Sequence, residues 1–509
     1  MIAKARTATL VGITAYEVTV EAGLSGGLPN FTIVGLPDTS VQESRERVHN
    51  AIRNSGFEFP MRRITVNLAP ADMRKEGPAL DLPIALAVLC ASGQLPQGAF
   101  EDTLIAGELG LDGLIRNVNG AVSIALLAQE NHAKRLILPE ENAPEAGIAS
   151  DVEVYGVTSL REVCDLLVNP QSFTPISKTD YMMEREPEYG VDFGDVKGQQ
   201  QAKRALEIAA AGGHNVLMIG PPGSGKTMLA RRVPTILPPL TLPEAIEVTR
   251  IYSSAGMMDG RKGLLWERPF RAPHHGASHA AIVGGGRVPR PGQVSLAHHG
   301  VLFLDEMPEF DRDVLEGLRQ PLEDGIITVA RVQASLEFPA ELMLIGAMNP
   351  CPCGFHGDRF KACTCNPEAI RRYRSRISGP LLDRIDLHVE VPRLKEEELL
   401  TSRIGESSAA IRERVRKARE IQTKRFAGTS TKVNARMNTK QIREFLGLEE
   451  DSSAYLRQVV AKMGLSARVF DRVLKVARTI ADLEEVEKIQ MRHIAEAVQY
   501  RSLDRVGVL

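Results

Sequence analysis

The chain is 509 residues long, more than one hydrophobic core can organise, so about two to four domains are expected. A composition of 43% hydrophobic and 25% charged residues with a formal net charge of −2 is that of a soluble globular protein. It lacks the overall basic character that advertises nucleic acid, so any such contact has to be local. No apolar stretch reaches the ~18–20 residues of a membrane span. The start, Met1 to Gly12, has no continuous apolar segment, which leaves the cytoplasm as the expected location and no membrane as a partner.

The first third mixes short strands with helices. Ala8–Ile13 and Tyr16–Val20 read as paired strands around a turn at Thr14-Ala15. Asp38 is placed to cap a helix whose apolar positions Val41, Val48, Ala51 and Ile52 share one face. Arg62–Leu68 reads as a strand and Leu80–Ala91 as a buried helix. Leu104–Leu109, a helix near Ala121–Gln129 and Leu136–Pro139 complete an α+β pattern. The segments Lys75–Ala79 and Gly107–Gly113 resemble those around the active site of Lon-type proteases. Ala79, however, stands where that family has its serine, and Val122 where it has its lysine. Neither side chain can attack or accept a proton, so the resemblance implies a fold without proteolysis. Prolines, polar residues and charges without periodicity then mark a linker over 171–190.

From Val191 the pattern changes. An alanine-rich helix over Gly198–Ala211 leads to the apolar run Val216–Ile219 and on to Gly220-Pro221-Pro222-Gly223-Ser224-Gly225-Lys226-Thr227. This is the phosphate-binding pattern G-x-x-x-x-G-K-[ST] in its strand–loop–helix context. Glycines let backbone N–H groups curl round phosphate oxygens, and the helix start adds a favourable dipole. Lys226 supplies a point charge to the outer phosphates, and the Thr227 hydroxyl can ligate magnesium. Downstream, Val301–Leu304 is an apolar strand ending in Asp305 and Glu306. Asp305 is expected to hold the magnesium of ATP through its water shell, and Glu306 to polarise the attacking water. Leu342–Met348 is a further buried strand with Asn349 at its tip. The set resembles AAA+ ATPases, which implies that Asn349 orients water against the γ-phosphate. It also implies that Arg384 reaches into the neighbouring subunit's site. The plainer reading of Arg384 is an ion pair with Asp383 or Asp386.

Two insertions interrupt this core. The segment between Arg250 and Gly300 holds five histidines (274, 275, 279, 298 and 299), read as loop polarity rather than metal ligands, together with Arg287 and Arg290. Ile326–Val329 and Ala334–Phe338 frame Ala330–Gln333 as a β-hairpin with Arg331 near its tip. Helicases and chelatases of this branch carry a hairpin in this slot, so Arg287, Arg290 and Arg331 become candidate contacts to a phosphate backbone. Solvated loop charges are the alternative. Cys351, Cys353, Cys363 and Cys365 form C-x-C…C-x-C, which satisfies the four-thiolate preference of structural zinc although the spacing departs from the usual C-x-x-C. His356 is a possible substitute ligand, and four free or redox-active thiols are the other reading.

After Arg393 the chain turns helical. Ile411, Val415 and Ala418 mark an apolar stripe among many basic residues. A solvated face is the default for such a run, with DNA or a subunit interface as the sharper reading. Ser466 starts a helix to Leu483 whose Arg468 matches the second sensor position of AAA+ lids, the alternative being a pair with Asp471. Taken together, the motifs resemble the YifB/ComM family of magnesium-chelatase-like AAA+ ATPases. The resemblance implies an α/β fold: an AAA+ P-loop core (191–393, with the cysteine loop at 351–365), an N-terminal Lon-protease-like α+β domain (1–170) and a C-terminal helical lid (394–509). It further implies a homo-hexamer that uses ATP and magnesium to drive DNA branch migration during recombination and natural transformation. Single-stranded or branched DNA and recombination proteins are then the expected partners. A chelatase-like ATPase that remodels a protein or metal–tetrapyrrole partner is the alternative.

Overall fold

The computed structural model describes residues 2–176, 189–258, 263–286, 289–330, 335–394, 405–463 and 466–501. Residues 177–188 of the expected linker, Arg287 and Arg331 lie outside them. The chain divides into two units, Met1–Arg185 with Thr241–Trp266, and Glu186–Leu240 with Glu267–Leu509.

In the first unit, β1 (Ile2–Val11) and β2 (Thr14–Ser25) pair in an antiparallel register that sets Val11 opposite Thr14. The turn is therefore Gly12-Ile13 and not the expected Thr14-Ala15, because both of those residues already belong to the ladder. A two-residue link is the shortest that matches strand twist. With β3 (Asn30–Val34), β4 (Arg63–Ala69), β5 (Thr103–Ile105), β6 (Arg135–Pro139) and β7 (Glu153–Val157), these strands form one sheet ordered β3-β4-β2-β1-β5-β6-β7. Helix α1 (Thr39–Asn54) starts where expected: Asp38 accepts from the Val41 N–H at 2.8 Å, and Val41, Val48, Ala51 and Ile52 are buried. Every residue of α2 (Asp81–Ala91) is buried, which is why its sequence is apolar on all sides. Ala79, just before α2, packs against the cluster that α3 (Ala121–Glu130) contributes to, and Val122 on α3 is fully buried. The two positions that a protease would need polar are thus apolar packing positions.

A helix over Leu242–Ser254 also belongs to this first unit, although the sequence reading placed it inside the ATPase core. Its Ser253 carbonyl accepts from the Gly120 N–H at 2.9 Å at the start of α3.

The second unit is built on a five-stranded sheet of β8 (Val216–Ile219), β9 (Phe270–Arg271), β10 (Val301–Leu304), β13 (Met343–Met348) and β14 (Leu387–Glu390). The order is β9-β10-β13-β8-β14, and all neighbours are parallel. Parallel strands are covered on both faces, so β8 and β10 read as unbroken apolar runs and are wholly buried. Between β10 and β13, β11 (Ile326–Ala330) and β12 (Ser335–Pro339) form the expected hairpin, with Ala330 opposite Ser335. Helices α4 (Gln200–Gly212) and α5 (Lys226–Ile236) cover the sheet, and α6 (Pro367–Arg374) follows the cysteine loop.

The C-terminal helices α7 (Ser408–Arg425) and α8 (Ala467–Leu483) share one apolar core with α4 and the sheet, through residues such as Ala209, Val415, Val473 and Ala477. Ile411, Val415 and Ala418 are the buried stripe of α7, as expected. Its charges are largely committed within the chain. Arg414 pairs with Glu207 and Glu406, Arg416 with Glu413 and Glu420, Lys417 with Glu485 and Arg425 with Asp482. Arg419 donates to the Ala210 carbonyl. The Arg414–Glu207, Lys417, Arg419 and Arg425 contacts hold the helix to its own fold, and the Arg416 pairs lie within the helix.

Candidate functional site

The phosphate loop lies at the carboxyl end of β8, where the chain leaves a central parallel strand and enters α5. Gly225, immediately before α5, has φ 93° and Gly223 has φ 77°, conformations that L side chains rarely adopt. Among the described residues nothing lies within 4 Å of where a Cβ would stand on either residue, so the loop borders open space. Gly220 is the opposite case, since a methyl there would overlap the Val391 carbonyl oxygen. Ser224 is 4% exposed, and its Oγ is a buried polar atom without a hydrogen-bond partner among the described residues. An open glycine cradle at a helix start with an orphaned hydroxyl fits a bound polyphosphate.

Lys226 Nζ donates to the Gly220 carbonyl at 2.7 Å and the Pro221 carbonyl at 3.1 Å, and lies 3.4 Å from Asn349 Oδ1. Burial pulls the Lys226 ammonium below its ordinary pKa, while Asp305 and Glu306 act against that shift. Thr227 Oγ1 donates to Asp305 Oδ2 at 2.7 Å. The hydroxyl at the start of α5 and the carboxylate just past β10 are therefore side by side, and an oxygen pair of this kind fits a magnesium ion. Glu306 sits in the left-handed region at φ 50°, just past β10, with its side chain exposed. So the fold brings together Lys226, Thr227, Asp305 and Asn349 and leaves Glu306 at their edge.

Sequence reading missed two residues that serve this cluster and the partner of Arg384. His275 Nδ1 lies 3.5 Å from Glu306 Oε2. It follows β9, a strand of only two residues with no periodicity to reveal it. Gln199 Nε2 donates to the Ser224 and Pro392 carbonyls at 3.1 and 2.7 Å, pinning the back of the phosphate loop. Glu323 is the partner of Arg384 in place of the expected Asp383 or Asp386. Among the described residues the Arg384 Nε has no partner, although it is buried. Arg468, with its side chain 73% exposed, lies 3.5 Å from Asp383 and not with Asp471. The histidine expectation also changes: His298 and His299 are buried, and His298 Nδ1 accepts from the Glu341 N–H at 3.0 Å. The strand-connecting turn before β10 runs inside the fold, and the two rings lie 3.8 Å apart between centroids. Arg290 is exposed in a short ribbon opposite Gly285.

The four cysteines come together without His356. Cys351 Sγ lies 3.3 Å from Cys353 and 3.7 Å from Cys363, Cys353 lies 3.6 Å from Cys363, and all four sulfurs are within 4.8 Å of one another. A tetrahedral zinc with Zn–S near 2.3 Å needs sulfurs roughly 3.8 Å apart. The spacing fits that ion, and all four are free thiols. The Phe355 and Thr364 N–H groups hold the Cys353 thiol down at about 5, whereas the Cys363 and Cys365 thiols, each facing one N–H group, are pushed up by burial and the neighbouring sulfurs.

Comparison with known proteins agrees with this geometry. Residues 192–399 match the family described as magnesium chelatase, subunit ChlI. Residues 20–142 match subunit ChlI of Mg-chelatase, and residues 405–501 match the ChlI C-terminal family. The chain is 46% identical over 503 residues to the uncharacterized protein YifB of Salmonella typhimurium, covering 98% of this chain and 97% of that one. It is likewise 46% identical over 502 residues to the competence protein ComM of Haemophilus influenzae, covering 97% and 96%. A magnesium-chelatase 67 kDa subunit of Chlorobaculum parvum is 29% identical over 168 residues, covering 31% of this chain and 23% of that one.

Proposed function

Since this chain belongs to the YifB/ComM family of magnesium-chelatase-like AAA+ ATPases, we propose that it is a hexameric, ATP-driven DNA motor of the cytoplasm. Its task on this reading is branch migration during recombination and natural transformation. The observation that supports ATP turnover best is the meeting of Lys226, Thr227, Asp305 and Asn349 around the open phosphate cradle. Gly220–Thr227 hold the polyphosphate, and Lys226 faces its outer oxygens. Magnesium held by Thr227 and Asp305 supplies neutralising charge to the phosphates when bound. Glu306 takes the proton of the attacking water, Asn349 orients that water, and Arg384 brings positive charge from the neighbouring subunit, with Arg468 reporting on the γ-phosphate from the lid. A zinc ion on Cys351, Cys353, Cys363 and Cys365 is structural, because four protein ligands leave no open position for chemistry.

The DNA part of the proposal rests on the ComM relative and on the β11–β12 hairpin, with Arg287, Arg290 and Arg331 as the contacts to the phosphate backbone. At low salt, single-stranded or junction DNA is expected to raise ATP turnover. Arg331→Ala should blunt the rise, and Lys226→Ala should abolish both turnover and branch migration. Turnover indifferent to every DNA tested would remove DNA as the track. The partial match to a chelatase subunit would then favour a remodelling ATPase with a protein or metal–tetrapyrrole partner.

A further inference from the structure

The cysteine loop and the phosphate loop touch. Gly354, inside the cysteine loop, has φ 85°, and a methyl built on it would stand 2.6 Å from Pro222 Cδ. Both the backbone conformation and the space therefore require glycine at that point. The loop also shares its first stem with the ATP site. Asn349, whose Oδ1 lies 3.4 Å from Lys226 Nζ, is separated from Cys351 only by Pro350. Its second stem runs from Cys365 into α6, which closes back on the first. Arg374 Nε donates to the Pro350 carbonyl at 3.2 Å.

Between these stems, residues 351–365 form turns and bends with no helix or strand. Thiols are weak hydrogen-bonding groups, so four of them cannot by themselves fix the course of a loop. A cation that ligates all four fixes both C-x-C pairs at once, and with them the face that Gly354 presents to Pro222. The sulfur spacing already matches such an ion, as described above.

We propose that zinc bound by Cys351, Cys353, Cys363 and Cys365 is a latch on the phosphate loop, so that metal occupancy sets how tightly this chain holds a nucleotide. The proposal rests on the ATP-site and four-thiolate readings above and adds the coupling between them. With zinc in place, Gly354 braces Pro222 and Asn349 is held facing Lys226. Without it, the loop loses its internal tie and both supports slacken.

The test uses the full chain, purified metal-replete and then stripped with a high-affinity zinc chelator, with magnesium restored in excess. Zinc content and the Kd of a fluorescent ATP analogue are measured on both forms. About one zinc per chain is expected, with cobalt(II) reconstitution giving a thiolate-to-metal charge-transfer band. The stripped protein should bind nucleotide about tenfold or more weakly, the scale of loss that a small misplacement of positioning groups produces. Zinc chloride should restore the affinity, whereas further magnesium should not. Gly354→Ala keeps all four cysteines, so it should retain zinc and still bind nucleotide about tenfold more weakly, which separates bracing from loss of the loop. Equal affinity with and without zinc, or an unchanged Kd in Gly354→Ala, overturns the latch and leaves the ATP site standing. Metal-replete protein without zinc overturns the metal itself. Absence of nucleotide binding in the zinc-loaded wild type overturns the ATP-site reading and the latch with it.

Discussion

Asp386→Asn tests whether the core and the C-terminal helices are joined by one buried charge. The Asp386 side chain is 4% exposed. It lies 3.0 Å from His214 Nδ1, at the foot of β8, and pairs with Arg472 on α8. His214 Nε2 in turn lies 2.8 Å from Thr479 Oγ1 on the same helix. The asparagine keeps the shape and removes the charge. Breaking a buried pair from one side costs about 3–5 kcal/mol. Arg472 is 23% exposed and regains part of its hydration, so the expected loss is nearer about 2–3 kcal/mol. At about 2–4 °C per kcal/mol for a large domain, the melting temperature should fall by roughly 4–12 °C. The pH dependence has a definite sign. Burial acts to raise the Asp386 pKa, but Arg472, His214 and Lys475 outweigh it, and the folded-state value lies below the ordinary carboxylate range. Its stabilisation is therefore complete above the unfolded value of about 4 and is lost as pH falls through that value towards the folded one. Thermal melts of wild type and variant from about pH 7 to 3 should show a constant gap that narrows only below about pH 4. A gap under about 0.5 kcal/mol, or one that widens on acidification, would refute the reasoning.

Three further outcomes follow from the site. Glu306→Gln should lower turnover by about 10²–10⁴-fold while ATP stays bound, and rapid single-turnover hydrolysis by that variant would mean the base has been misassigned. Gly220→Ala drives a methyl into the Val391 carbonyl, so ATP affinity measured by titration should drop by about tenfold or more, while a wild-type Kd would show that the loop can shift freely. If Arg384 acts in trans, Arg384→Ala and Lys226→Ala chains, each inactive alone, should regain part of the turnover when mixed. A mixture as inactive as its components would place Arg384 in its own subunit's structure.

The ATP site was legible because its signals are local. An unbroken apolar strand ending in a loop of glycines, or in two carboxylates, or in an amide, places each group at the same edge of a parallel sheet without any knowledge of the strand order. The cysteine spacing was legible for the same reason. What could not be read were partners set by tertiary packing. Arg384 meets Glu323 and Arg468 meets Asp383, and each pair joins elements far apart in sequence. His275 reaches Glu306 only because β9, two residues long, sits beside β10. The turn at Gly12-Ile13 was displaced by two residues because both strands are longer than their apolar alternation suggests.

The least legible feature is the allegiance of the helix Leu242–Ser254. Its buried face, Ala245, Val248 and Ile251, is an ordinary amphipathic stripe, and nothing in that spacing says which core it joins. The units show that it packs with the first, so the chain crosses between units after Leu240 and again after Trp266. Both crossings are close in sequence to the ATP site. The outgoing one follows α5, which begins at Lys226, and the returning one leads through β9 to His275, opposite Glu306. A domain fused through 171–190 alone could be exchanged or lost without touching the ATPase core. One that also holds the segment between the phosphate-binding helix and the Glu306 partner is built into the same chain path as the chemistry. That path ties the first unit to the ATPase core along the chain.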